Sequence, residues 1–222
     1  MPELQFQIEG AEAVAHSAAP LLALKLRITN LPASESIYTL TLKCQVQIEP
    51  AKRRYLPPEQ EKLADLFGEP SRWSRTVKPL HWMNTSVAVS GFTGSTLVDL
   101  ELPCTFDFNV ASTKYFHALE AGDIPLCVMF SGTVFYQSQE GILQIAQIPW
   151  DREAYFKLPV AIWKEMMDAH FPNSAWLSLR RDAFGQLYDY KVRHGLPTWE
   201  HVIARLLASE EITREKSEEV TA

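Results

Sequence analysis

The feature that most constrains the fold is a regular alternation of apolar and polar residues between positions 39 and 49. The apolar positions of this run are Leu40, Leu42, Cys44, Val46 and Ile48, and every position between them is polar. A period of two places successive side chains on opposite faces of a strand, so that one face packs on a core and the other faces water. The run therefore predicts a strand of an antiparallel sheet.

Further strand patterns recur through the first 159 residues, centred on 4–8, 24–28, 87–89, 98–108, 125–136 and 142–148. From Pro159 onward the apolar spacing becomes helical, most clearly from Trp199 to Leu207 behind a capping Thr198. Strands followed by a run of helices predict an α+β fold. We expect mainly an antiparallel β-sandwich or curled sheet over 1–159, with a C-terminal helical cap.

The predicted organisation has a β-rich body at 1–159 that is interrupted by a helical insertion at about 51–80. Two prolines and an acid at 57–59 are typical of a helix start, and Gly68 is typical of its end. Residues 160–208 are expected to form a helical cap packed on the body. The polar residues 209–222 are expected to form a disordered acidic tail.

Composition narrows the class of protein. The chain has 222 residues, a formal net charge of -6 and no apolar run of the about 20 residues that cross a bilayer. Its acidic total argues against nucleic-acid binding, which requires a basic face. The cysteines Cys44, Cys104 and Cys127 are odd in number and lie in apolar stretches, as buried thiols do in a reducing compartment. We therefore expect a cytoplasmic protein without membrane insertion.

The charge is distributed unevenly, because the insertion is basic and the body is acidic. Residues 51–80 hold seven basic and four acidic side chains, whereas 1–50 and 81–159 together have a net charge of -7. Arginine and tryptophan are enriched at protein interfaces. The residues predicted to bind a partner are Arg53, Arg54, Arg72, Trp73, Arg75, Lys78, His81 and Trp82. The alternative is that the insertion docks on its own acidic body and buries its tryptophans.

No motif in the sequence predicts catalysis, a metal or a cofactor. There is no phosphate-binding lysine loop, no Cys-x-x-Cys, no paired histidines and no nucleophile elbow. A convergence of His81 or His117 with Cys104 and Asp107 in space stays open. It would give an enzyme or small-ligand binder with its site between the sheet and the helical cap.

Several short motifs resemble a bacterial domain-of-unknown-function family. They are Arg53-Arg-Tyr55, 66–70 with Arg72-Trp73, 91–95, 130–135, Ile148-Pro-Trp150 and 171–174 with Trp176-Leu177. The resemblance covers nearly the whole chain up to the tail. Members of this family occur near genes of high-affinity, oxygen-tolerant nickel–iron hydrogenases, which implies an association with hydrogenase production or operation. The resemblance assigns no catalytic residue.

Together these observations predict a non-catalytic cytoplasmic accessory or assembly protein that binds another protein through residues 51–82. The resemblance implies a hydrogenase or its maturation machinery as the partner. Replacing Arg53, Arg54, Arg72 and Arg75 by alanine is expected to abolish partner capture without affecting folding. Besides the enzyme or ligand binder, a purely structural protein without a partner is the remaining alternative.

Overall fold

A computed structural model of the chain describes residues 2–105, 110–138, 141–174, 177 and 179–221, with side chains described up to residue 210. The strands are β1 (Glu3–Ala13), β2 (Leu21–Leu31), β3 (Ser36–Ile48), β4 (Leu80–Thr93), β5 (Ser95–Pro103), β6 (Asp123–Gln137), β7 (Leu143–Gln147) and β8 (Glu153–Pro159). The helices are α1 (Pro57–Phe67), α2 (Trp73–Thr76), α3 (Val110–Ala118), α4 (Val160–His170), α5 (Arg181–Arg193) and α6 (Trp199–Thr221).

The strands form two open antiparallel sheets. One has the order β1-β2-β5, and the other has the order β4-β3-β6-β7, with β8 also paired to β6. One edge of β6 pairs with β3, and the other edge is shared, since β8 pairs with residues 123–129 and β7 with residues 133–137. The predicted α+β class, with antiparallel sheets and C-terminal helices, is confirmed.

Gly132 lies on β6 between the stretches that pair with β8 and with β7. Its φ is +146°, and a Cβ atom there would lie 2.0 Å from the carbonyl oxygen of Thr41 on β3. Only glycine fits this combination of left-handed backbone and close contact. The close approach of β6 to β3 therefore depends on this residue.

A single hydrophobic core lies between the sheets. The prediction for β3 is confirmed, since Leu40, Leu42, Val46 and Ile48 are fully buried and Cys44 almost so. Across the core, Phe6 of β1 stacks on Phe130 of β6 with ring centroids 4.3 Å apart. The two sheets therefore share a core, to which α1, α3 and α4 also contribute side chains.

The chain divides into two compact units, residues 1–174 and residues 175–222. In the first unit, α4 packs against β1, β2 and β8. In the second unit, α5 and α6 pack against each other. Docking of this helix pair on the β body stays a prediction.

The helices differ from the sequence patterns at their ends. The second predicted helix begins at Arg181, and Trp176 at its expected start lies outside the described residues. The last helix continues to Thr221 through the segment predicted to be a disordered tail. Its glutamates, lysine and arginine are good helix formers, so helix propensity can extend α6 without an apolar stripe.

Candidate protein-binding surface

The connection between β3 and β4, where partner-binding residues were predicted, begins with a buried ion pair. The Arg53 Nη2 atom lies 2.6 Å from the Glu59 Oε1 atom, and the two side chains are only 8% and 1% exposed. Arg53 also donates hydrogen bonds to the carbonyl oxygens of Ala121 at 2.6 Å and Asp123 at 2.7 Å. This arginine thus fastens the insertion to the segment that enters β6.

The Glu59 carboxylate also fixes the start of α1. It accepts a hydrogen bond from the backbone N–H of Leu56 at 3.0 Å and another from that of Glu120 at 2.9 Å. Burial opposes ionisation of this carboxyl, but the two N–H groups and Arg53 outweigh it and hold its pKa below the ordinary value. Glu59 is therefore a structural anion, and its proton is not available for acid–base chemistry near neutral pH.

Two tyrosines lie next to the Arg53–Glu59 ion pair and connect the insertion to α3. The hydroxyl of Tyr55 donates to the carbonyl oxygen of Pro50 at 2.7 Å and lies 2.8 Å from the hydroxyl of Tyr115 on α3. Burial raises the pKa of Tyr115 to about 12 and raises the pKa of Tyr55 as well. Both phenols are therefore neutral hydrogen-bonding groups in the folded protein.

Trp73 fixes the second half of the insertion on the first. Its ring packs edge-on against Tyr55 at 5.4 Å and against Phe67 at 5.7 Å between centroids. Its indole N–H donates to the carbonyl oxygen of Gly68 at 2.8 Å. Half-buried in these contacts, Trp73 positions α2 and the short 3-10 turn Pro70–Arg72 on α1.

Four cations of the insertion point outward: Arg54, Arg72, Arg75 and Lys78 are exposed. Among the residues that the structure describes, none of these four side chains has a carboxylate within ion-pair distance. By contrast, Lys62 of α1 pairs with Glu120 at 3.1 Å. The insertion therefore presents unneutralised positive charge from a scaffold that buried contacts hold in place. We call these four residues the basic surface.

The structure divides the residues predicted to bind a partner into buried and accessible ones. Arg53 is enclosed by its hydrogen bonds, and Trp82 is 4% exposed with its ring 4.8 Å from that of Phe116. Neither side chain is accessible to a partner, because each fills a place in the interior. His81 is exposed, and Trp73 is half-buried. The accessible part of the prediction consists of the basic surface, Trp73 and His81.

Two of the residues proposed for a site between sheet and helices, Cys104 and His117, line two cavities that share Trp163 and Met167. Cys104 borders a cavity of only about 10 Å³, and Asp107 lies outside the described residues. His117 lines a larger cavity of about 340 Å³ together with Lys164 and Asp168. Burial, and then the Lys164 ammonium, lower the pKa of this histidine, so it is neutral near neutral pH.

Metal and thiol chemistry find little support in the described part of the chain. It contains no group of three or more His, Cys, Asp or Glu side chains that could hold a metal ion. The cysteines are free and buried, and burial raises the pKa of Cys44 and of Cys104 to about 12. Protonated thiols of this kind are poor nucleophiles and poor metal ligands.

No helix within the described residues is both long enough and apolar enough to span a membrane.

Comparison with known families matches residues 1–215 to a family of unknown function, DUF6084. The chain belongs to this family. Membership confirms the resemblance to a domain of unknown function, while the association with hydrogenase genes stays a prediction. No curated protein matches the sequence, and no solved structure matches it either. Within this DUF6084 protein, the Arg53 and Trp73 motifs quoted for the resemblance serve the internal scaffold of the insertion.

Proposed function

We propose that this protein is a non-catalytic accessory protein that binds an acidic surface of another protein through Arg54, Arg72, Arg75 and Lys78. The observation that supports the proposal is the combination of four exposed cations, which have no ion pair among the described residues, with a scaffold that is fixed by buried hydrogen bonds. Arginine side chains on a fixed scaffold lose little conformational entropy when they form forked hydrogen bonds to carboxylates. The partner that the family resemblance implies is a hydrogenase or a protein of its maturation.

The test is affinity capture from extracts of the native cell with a quadruple alanine variant of these four residues. We expect the variant to fold normally. The amount of partner that it captures should fall by about tenfold or more, because it loses the charges that attract and orient that partner. Capture by the wild type should also weaken as salt is raised, since exposed charges are screened. Mass spectrometry then identifies the captured protein.

A matched control removes the same charge elsewhere on the molecule. Lys157, Arg181, Arg193 and Arg205 are exposed, lie outside the insertion and have no ion pair among the described residues, and their alanine variant has the same net charge as the test variant. It should capture the partner as the wild type does. Equal capture by the test variant and the wild type would refute the proposal.

The cavity beside His117 supports one alternative function, a small-ligand binder or enzyme. Its wall combines the neutral imidazole with Lys164, Asp168 and the ring of Trp163, whose centroid lies 5.0 Å from that of His117. If the cavity is the functional site, a native cell that carries His117→Ala should show the same defect as a cell that lacks the protein. A cell that carries the quadruple alanine variant should then behave like the wild type. The opposite result favours the basic surface.

A further inference from the structure

A second surface with the features of a binding site lies on the outer face of the five-stranded sheet. A groove of about 550 Å³ runs across β4, β3 and β6, beside the place where β6 exchanges one edge partner for the other. Trp150, from the loop between β7 and β8, stands at its margin. This groove is separate from the basic surface, so it goes beyond the function proposed above.

Polar side chains line the groove in two rows because the strands are in register. Lys43 of β3 is paired with Ser86 of β4 and Ser131 of β6, which forms the first row. Gln45 is paired with Asn84 and Met129 in the same way, which forms the second row. With strands about 4.8 Å apart and alternate residues about 6.8 Å apart, these rows form a platform of roughly 10 by 7 Å. A sugar ring has similar dimensions.

Among the described residues, two pairs of side chains near the platform are hydrogen-bonded to each other, whereas the polar side chains of the platform are not. In the described part of the chain, the side chains of Lys43, Gln45, Asn84, Ser86 and Ser131 have no hydrogen-bond or ion-pair partner. Beyond one end of the platform, Gln147 donates to Thr133 at 3.1 Å. On the adjacent β8, Tyr155 donates to Glu153 at 2.8 Å. The groove is thus lined by side chains whose donors and acceptors are available to a ligand.

Trp150 is 91% exposed, although its loop is firmly held. Before it, the N–H of Ile148 donates to the carbonyl oxygen of Gly132 at 2.9 Å. After it, the carbonyl oxygen of Arg152 accepts the N–H of Phe130 at 2.8 Å. A fixed loop that leaves a whole indole in water provides a ready apolar surface for stacking, and tryptophans of this kind are enriched at recognition sites.

We infer that the groove binds a carbohydrate whose pyranose rings bear carboxylate groups. Sugar hydroxyls both donate and accept hydrogen bonds, so they match the mixture of hydroxyl and amide groups on the platform. The C–H face of a pyranose can stack on the Trp150 indole. Lys43 is the one charged side chain among the residues described as lining the groove, and its ammonium would bind the carboxylate in a charge-assisted hydrogen bond.

Isothermal titration of the purified full chain with trigalacturonate tests this inference, with uncharged maltotriose as the comparison ligand. We expect trigalacturonate to bind and maltotriose to bind at least about tenfold more weakly, because it lacks the carboxylates that Lys43 recognises. Trp150→Ala should abolish binding of both sugars. Lys43→Met should weaken trigalacturonate binding by about tenfold and leave maltotriose binding unchanged.

Matched controls are Tyr155→Ala and Lys157→Met, which remove an exposed aromatic ring and an exposed lysine from β8 outside the groove lining. Both should bind trigalacturonate as the wild type does, and urea unfolding of every variant verifies the fold. The inference is overturned if trigalacturonate fails to bind, if Trp150→Ala binds it equally well, if maltotriose binds as tightly, or if either control loses binding.

Discussion

Arg53 and Arg54 are adjacent in sequence and identical in type, yet they belong to opposite sides of the insertion. On the inner side, Arg53 meets Glu59 and two backbone carbonyls and has almost no contact with water. On the outer side, Arg54 is exposed and has no ion pair among the described residues. The comparison shows that a basic segment of high charge density can use part of its charge as internal scaffold and leave another part exposed to solvent.

The largest expected effect is on the inner side, from Glu59→Gln. The substitution leaves the buried Arg53 charge without its counter-ion, so we expect a loss of about 3 kcal/mol or more in the free energy of unfolding. The matched control is Glu61→Gln, which neutralises an exposed carboxylate on the same helix and should cost less than about 0.5 kcal/mol. Urea unfolding measures both. Similar stabilities for the two variants would remove the basis of the comparison.

Acid should weaken the inner side specifically. Because the pKa of folded Glu59 lies below its ordinary value, this carboxylate stabilises the fold above the ordinary value of about 4, and the contribution is lost as the pH falls through the folded pKa. The stability difference between wild type and Glu59→Gln should therefore shrink from pH 7 to pH 3. Urea unfolding along a pH series measures this, and a constant difference contradicts the expected linkage.

The tyrosine hydroxyl pair is expected to have a smaller effect. Tyr55→Phe leaves both the Pro50 carbonyl and the Tyr115 hydroxyl without their partner, so we expect a loss of about 1–3 kcal/mol. Tyr115→Phe leaves the bond between Tyr55 and Pro50 intact and should cost about 1 kcal/mol. Tyr155→Phe removes an exposed hydroxyl and serves as the control. Thermal or urea unfolding should rank the three variants in this order.

The smallest effect on stability should come from the outer side. Alanine at Arg54, Arg72, Arg75 and Lys78 removes no ion pair of the described structure, so the free energy of unfolding should change by less than about 1 kcal/mol. The alanine variant of Arg53, Arg54, Arg72 and Arg75 should instead unfold more readily, because it removes the buried Arg53. Unfolding curves of the two sets separate the scaffold from the basic surface without knowledge of the partner.

The sequence predicted the strands well because a period of two is a local signal. The alternation at 40–48 is the central strand β3, and the proline within the run 98–108 marks the end of β5 at Pro103. Helix boundaries were less predictable, as α5 begins at Arg181 and α6 extends to Thr221. The α6 extension lacks an apolar stripe, so helix propensity rather than apolar periodicity accounts for it.

The candidate site was only partly predictable. Charge counting by segment correctly located an excess of positive charge in the insertion, where Arg54, Arg72 and Arg75 are exposed. It could not separate Arg53 from Arg54, because residue type and neighbours in sequence are nearly the same for both. The groove at Trp150 was missed altogether, since the polar positions of three strands each indicate only a solvated face.

By itself, the sequence determined that this chain forms an α+β protein with antiparallel sheets, since hydrophobic periodicity is read within a few residues. It also determined that an acidic body carries a basic insertion. Only the tertiary structure decided which cations face outward, because the carbonyls that bind Arg53 lie 68 and 70 residues away in the chain. It likewise decided that Lys43, Ser86 and Ser131 share one row, since strand register depends on pairing between distant segments.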